Sequence, residues 1–199
     1  MNELWRGRMA IRISQMRTGD LPQYSIVRSY LTVESLLRSH KIDNGLGGIS
    51  LTEETVNEPY IKDYDAHRGE GPTRWLKRFD MSTWGIFMAF EGNDHIGGAI
   101  VAPGAFVGDS DSRYAQLFDI RLLPEHRGKG TGTLLLKKVA DWSKGLGCKY
   151  LKIETQNTNV PACKFYSKQG AILGNIDEHA YLGYPEVEHE VRLVWYLEL

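Results

Sequence analysis

Cysteine is scarce in this chain. Cys148 and Cys163 lack Cys-x-x-Cys spacing, and the six histidines form no His-x-x-x-His pair or other close cluster. That removes a disulfide framework and a structural zinc from the expectations, leaving two reduced, buried thiols and no metal. An excess of one charge is lacking too: 24 Lys and Arg stand against 25 Asp and Glu, for a formal net charge of -1. With no global field to draw it to nucleic acid or an anionic membrane, neither is expected as a partner. No uninterrupted apolar run approaches the ~18 residues of a membrane helix. The opening MNELWRGR runs into alternating residues rather than the apolar core of a secretory signal, so the expected location is the cytoplasm.

What is present is the composition of a globular protein, with 42% hydrophobic residues to build a core and 25% charged residues to cover it. At about 150 residues per domain, the length points to a single domain over residues 1–199. Met9, Ile11 and Ile13 alternate with Ala10, Arg12 and Ser14, a half-buried strand over 8–16. From Leu21 to about His40, Ile26, Tyr30, Val33, Leu36 and Leu37 recur at spacings of three and four behind Asp20 and Pro22, which predicts an amphipathic helix. Residues 41–80 are the least regular, with short candidate strands near 46–56. A binding loop and a plain surface insertion both fit them.

Regularity returns at 82–91 and 95–103, a hairpin about Gly92-Asn93-Asp94. A strand follows over 113–123, then a helix over 131–146 with Leu135, Val139, Trp142 and Leu146 on one face and Gly147 as its stop. A strand at 149–155, a helix from Asn159 to Lys168 and a closing hairpin of 171–182 and 187–198 complete the chain.

Two stretches carry chemistry. Arg127-Gly128-Lys129-Gly130-Thr131-Gly132 lies between a predicted strand and a predicted helix. Its glycines let successive N–H groups turn inward, and the helix N-terminus adds positive partial charge, the ingredients of a phosphate cradle. The Walker A pattern is absent because Gly130, not Ser or Thr, follows Lys129, and the Rossmann spacing is absent too. A purely structural turn also fits. The second stretch, TQNTNVPACKFYSKQGA (Thr155–Ala171), offers Asn159 as a helix N-cap, Pro161 in the first turn and Tyr166 further along one helical face. Capping and packing alone would account for either residue taken singly.

Together, over about 82–170, these stretches resemble the GNAT superfamily of N-acetyltransferases. Arg127, Gly130 and Gly132 match its R/Q-x-x-G-x-G/A pattern, and Asn159, Ala162, Phe165 and Tyr166 match its N-x-x-A-x-x-F-Y run. Ala171 departs from the family's usual Phe after glycine. A closer likeness, to the streptothricin acetyltransferase group, is carried by ETQNTNVPACKFY (154–166), EVRLVWYL (190–197), PYIKDYD (59–65) and STWGIF (82–87). The resemblance implies an α/β (α+β) fold with a mixed, mostly antiparallel central sheet flanked by helices. In it, splayed central strands hold acetyl-CoA as co-substrate. It implies donor-binding roles for Ile120, Leu122, Arg127, Gly128, Lys129, Gly130, Thr131, Gly132, Asn159, Ala162, Phe165 and Tyr166.

Acetyl transfer by direct attack on a thioester needs a primary amine freed of its proton, so carboxylates are the candidate bases: Asp119 on the central strand and Glu154 at the end of the next. The resemblance implies Tyr166 as proton donor to the leaving thiolate and the Leu122 N–H as the group polarising the thioester carbonyl. Tyr60, Asp63, Tyr64 and Asp65, with Trp84, are the candidate contacts to a small cationic amine. From Asn175 to Glu190 the chain carries Asp177, Glu178, Glu186, Glu188 and Glu190 with no Lys or Arg, either an acidic rim or solvated hairpin charge. The resemblance implies streptothricin, through its β-lysine amine, as the leading acceptor. A polyamine, an aminoglycoside or a protein amine are alternatives, as is a non-catalytic acyl-CoA-binding module, and assembly as a homodimer is left open.

Overall fold

The structure is a computed structural model describing residues 10–66, 71–104 and 113–199. In chain order the elements are β1 (Ile11–Met16), α1 (Leu21–Tyr24), β2 (Tyr30–Lys41), β3 (Ile49–Asp63), α2 (Pro72–Trp75), β4 (Gly85–Glu91), β5 (Asp94–Pro103), β6 (Tyr114–Leu122), α3 (Thr131–Gly145), β7 (Tyr150–Gln156), α4 (Val160–Lys168), β8 (Ile172–Asp177) and β9 (Arg192–Glu198). Seven strands form one sheet, ordered β1-β4-β5-β6-β7-β9-β8, and β2 and β3 form a separate ribbon. Among the described residues of the main sheet only β6 and β7 pair in parallel. This is the expected mixed, mostly antiparallel sheet. Among the described residues no helix is long and apolar enough to cross a membrane.

Both faces of the sheet are covered. On one, Leu135, Leu136 and Val139 of α3 meet Phe87, Val101, Ala115 and Leu117, and α4 adds Cys163 and Tyr166 to the same core. On the other, Leu21, Tyr24 and Trp75 bury Ile86, Met88 and Ile100. Strands buried on both faces lose the need for polar alternation, which is why GIFMAF and GGAIVA read as nearly continuous small and apolar runs. The two cysteines are free and buried.

The pairing of β5 with β6 shifts between Ile100↔Asp119 and Val101↔Leu117, so Phe118 is an extra residue, a β-bulge. The bulge resets the alternation. Ala115, Leu117, Ile120 and Leu122 all join the core under α3. Phe118 and Asp119 both turn the other way, Phe118 onto Trp75 and Trp84 with ring centroids 4.9 Å apart, and Asp119 to accept a hydrogen bond from Tyr24 Oη at 2.5 Å. The Tyr24 ring needs Gly98 beneath it, because a Cβ there would come within 2.5 Å of Tyr24 Cε2 and 2.4 Å of Phe87 O.

Arg121, on the same face, is buried. Its Nε and Nη2 donate to Asp119 at 2.8 and 3.0 Å, and its Nη1 donates to Asp65 Oδ2 and to Val27 O, both at 3.0 Å. Burial opposes the guanidinium charge, but Asp119, Tyr24 and Asp65 outweigh it and raise its pKa above the arginine range. One side chain thus ties the central strand to the segments flanking the ribbon.

Three sequence expectations are corrected. The predicted helix over 21–40 is a single turn, Leu21–Tyr24, followed by β2. Leu31 and Val33 are buried in alternation there, but Val33 pairs with Tyr60 while Ser35 pairs with Thr55. The residues spaced by three and four share no face, since Ile26 and Tyr30 are exposed and Val33 is buried. The stretch 41–80, read as irregular, contains β3, the longest strand among the described residues. β3 faces solvent along much of both sides, so no hydrophobic alternation marks it. The closing hairpin is shorter than expected: β8 and β9 do pair, but residues 178–191 form a long connection, and β9 inserts between β7 and β8. Met9 of the first expected strand lies outside the described residues.

Replacing Arg121 by Met removes the charge and leaves Asp119 and Asp65 paired with nothing of opposite sign at that point. A loss of about 3–5 kcal/mol is expected, the cost of breaking a buried ion pair from one side, read as a lowered urea midpoint with unchanged slope.

Candidate active site

β6 and β7 pair only from Tyr114 to Leu117 and Tyr150 to Ile153. Beyond, β6 pairs with β5 and β7 with β9, so the two strands part. A cleft of about 310 Å³ opens between them, lined by Gln116 to Ile120, Glu154 to Gln156, Asn159, Ala162 and Tyr166, with Ser29 and Tyr64 from beside the ribbon. Leu123 N donates to Ile96 O. Antiparallel alternation therefore turns the backbone groups of Arg121 toward β5 and those of Ile120 and Leu122 into the gap.

Past Leu122, where β6 ends, Gly128 (φ 69°) and Gly130 (φ 95°) take left-handed conformations that lead the chain into α3 at Thr131. Among the described residues, the amides from Gly128 to Thr133 meet no acceptor. Lys129 is exposed beside them. Gly132 lies against Phe165 and Leu122, where a Cβ would make ordinary contact at 3.5 and 3.7 Å. Unpaired amides at a helix N-terminus form a site for phosphate groups. Arg127 points elsewhere: its Nε donates to Leu122 O at 3.1 Å and its Nη2 to Tyr30 O at 2.8 Å, stapling the loop to β6 and the ribbon.

Across the cleft, Asn159 caps α4 through Oδ1, which accepts from Ala162 N at 3.2 Å. Tyr166 is buried, and no described residue hydrogen-bonds its hydroxyl. Burial raises its pKa, and Asp119, Tyr64 and Cys163 push the same way, so the phenol keeps its proton. Burial likewise drives the Cys163 thiol up to about 11, which keeps it unreactive.

The two candidate carboxylates differ. Both oxygens of Asp119 are engaged by Arg121, and one also by Tyr24. Glu154 is exposed and accepts one hydrogen bond, from Tyr181 Oη to its Oε1 at 3.0 Å. Of the expected amine contacts, Tyr64 lines the cleft, its hydroxyl between Gln156 and Asn159. The others stand apart from the lining. Asp65 is held by Arg121 and Ser29 N. Asp63 pairs with Arg28 and accepts from the amides of Asp65 and Ala66. Tyr60 sits on the ribbon opposite Val33, and Trp84 is buried behind Phe118. Nor is the acidic tail a free rim: Asp177 pairs with Arg192, Glu178 with Lys41, and buried Glu190 with Lys62.

Sequence reasoning missed Tyr24, Gln156, Tyr181 and Arg121. Only Arg121 left a signal, a cation two residues from Asp119 in the otherwise apolar run FDIRLL.

Residues 50–171 match the model of the Acetyltransferase (GNAT) family. The chain belongs to the GNAT family of acetyltransferases. Streptothricin acetyltransferase A of Bacillus subtilis (strain 168) is 30% identical over 145 residues, covering 73% of this chain and 77% of that protein. The streptothricin acetyltransferase of Streptomyces lavendulae is 34% identical over 113 residues, covering 52% of this chain and 60% of its own. A Bacillus anthracis str. Ames structure with acetyl coenzyme A bound superposes with a TM-score of 0.75 at 26% identity, covering 96% of this chain and all of that one. This GNAT chain is an N-acetyltransferase, and acetyl-CoA is supported as its co-substrate.

Gly130 supplies the left-handed turn that presents the amides. Gly130→Ala carries a backbone cost of about 1–2 kcal/mol, and acetyl-CoA affinity is expected to weaken about tenfold by calorimetric titration.

Proposed function

We propose that the acceptor is a primary amine of a small cationic molecule, streptothricin through its β-lysine amine, and that acetyl-CoA lies along the Ile120–Leu122 edge with its pyrophosphate on the Gly128–Thr133 amides. The observation that carries this reading is the parting of β6 and β7. It leaves backbone groups of Ile120 and Leu122 open to an extended ligand, with Glu154 and Tyr166 on the cleft walls, and the unpaired amides of Gly128–Thr133 follow the end of β6 and support the reading. The streptothricin acetyltransferases among its relatives support the choice of acceptor.

An alkyl amine with a pKa of about 10 is protonated at neutral pH and cannot attack until a proton leaves. Glu154 takes that proton on Oε2, the oxygen that Tyr181 leaves free. The Leu122 N–H, facing the gap, stabilises the thioester oxygen as charge develops on it. Tyr166 then gives its proton to the departing sulfur. Asp119, with both oxygens held by Arg121 and one also by Tyr24, holds the strand in shape. Tyr64, which lines the cleft, borders the acceptor side near Glu154.

Tyr166→Phe is expected to lower kcat at least about tenfold, and Glu154→Gln to lower kcat/KM about a hundredfold, both within the range of general acid–base effects. Because the Tyr166 pKa is raised, its proton is present throughout the neutral range. The wild-type kcat should therefore show no loss attributable to this phenol as pH rises from 7 to about 9. The acceptor is identified by release of free CoA thiol with streptothricin, spermidine, lysine or an aminoglycoside offered separately, and by product mass. Fast release with spermidine and none with streptothricin would replace the proposed acceptor.

A further inference from the structure

Tyr181 lies in the connection between β8 and β9, outside every motif that marks the site, yet its hydroxyl belongs to a run of hydrogen bonds with one permitted polarity. The run starts at a backbone donor. Ala162 N donates to Asn159 Oδ1 at 3.2 Å, which orients that amide and sends its Nδ2 toward Tyr64 Oη, at 3.1 Å. The Tyr64 hydroxyl, its oxygen so engaged, donates to Gln156 Oε1 at 3.1 Å. That fixes the Gln156 amide, whose Nε2 donates to Tyr181 Oη at 3.0 Å. Tyr181 gives its own proton to Glu154 Oε1 at 3.0 Å. Reversing the chain would set the Asn159 amide N–H against the N–H of Ala162.

The connection carrying Tyr181 is anchored at both ends. Glu178 accepts from Ser39 and pairs with Lys41. Glu190 pairs with Lys62 and accepts from Thr158 Oγ1 at 3.2 Å. Burial, then the nearby Glu154 charge, raises the Tyr181 pKa, so the hydroxyl stays a donor.

We propose that Tyr181, oriented by Gln156, is a positioning residue for acetyl transfer, pinning Oε1 of Glu154 so that Oε2 faces the acceptor amine. The inference rests on Glu154 as the proton acceptor. An exposed glutamate on a strand samples several rotamers, and a charge-assisted hydrogen bond from a fixed phenol selects among them. The start of the run also matters: the residue capping α4, the helix that carries Tyr166, is the one that orients the base. Donor and acceptor sides of the cleft thereby share one frame.

The test uses initial rates of the full chain and of Tyr181→Phe, Gln156→Leu, Glu154→Gln and the Glu154→Gln/Tyr181→Phe double variant. Acetyl-CoA is the donor, and the acceptor is whichever of streptothricin, spermidine or lysine is acetylated fastest. Tyr181→Phe is expected to lower kcat about tenfold, the worth of a hydrogen bond to a charged group, with both KM values within about twofold. Gln156→Leu should act in the same direction, and Tyr181→Phe should cost nothing further when Glu154 is already Gln. Equal loss in both backgrounds, or a raised acceptor KM at constant kcat, would make Tyr181 a fold or substrate contact and overturn the proposal. A fully active Glu154→Gln enzyme removes the base assignment, and the inference with it. A crippled Glu154→Gln beside a fully active Tyr181→Phe removes the inference alone.

Discussion

Hydrogen bonds between β6 and β7 stop at Leu117 and Ile153, leaving the edges of two central strands unpaired inside the molecule. Buried backbone groups without partners are costly, so such a gap persists only where the strands cannot close and something polar can fill it. Closure is prevented from both sides. β5 and β9 hold their partners through continuing ladders, and the bulge at Phe118 bends β6 just where pairing with β7 ends. The core under α3 would otherwise lose its facing residues. The extra residue preserves it by shifting the inward positions from Ala115 and Leu117 to Ile120 and Leu122.

The bend carries a side-chain cost, because it turns Asp119 and Arg121 into a face otherwise filled by Tyr24, Trp75 and Phe118. Buried ion pairs rarely add net stability over an apolar replacement, but they fix geometry. Here the guanidinium reaches Asp119 on its own strand, Val27 O before β2, and Asp65 after β3. The segments entering and leaving the ribbon are thus located relative to the bend, and Tyr64 arrives at the cleft beside Asn159.

The sequence made some of this readable and hid the rest for identifiable reasons. The α3 glycine turn and the Asn159 cap were legible because local chemistry decides them: a positive φ selects glycine, and a side-chain oxygen satisfies an open amide. The hairpin of β4 and β5 was legible through its turn residues. The ribbon was not, because β3 is exposed along much of both sides and the regularly spaced apolar residues of 21–40 share no face, Ile26 and Tyr30 being exposed while Val33 is buried. Whether Asp119 or Glu154 had a free oxygen was equally hidden. That depends on Arg121, Tyr24 and Tyr181, which come from three separate parts of the chain.

The ribbon of β2 and β3 shares no ladder with the main sheet among the described residues. Much of its attachment is through side chains: Asn157 to Leu37, Lys62 to Glu190, Lys164 to Glu53, and Arg127 to Tyr30. A ladder has a register that a single substitution seldom edits, whereas a seam of side chains can be rewritten one residue at a time. The wall beside the cleft is therefore the evolvable part of the molecule. In a lineage of such enzymes, residues along that seam should turn over faster than the glycine positions of the turn before α3, whose left-handed backbone few other residues adopt.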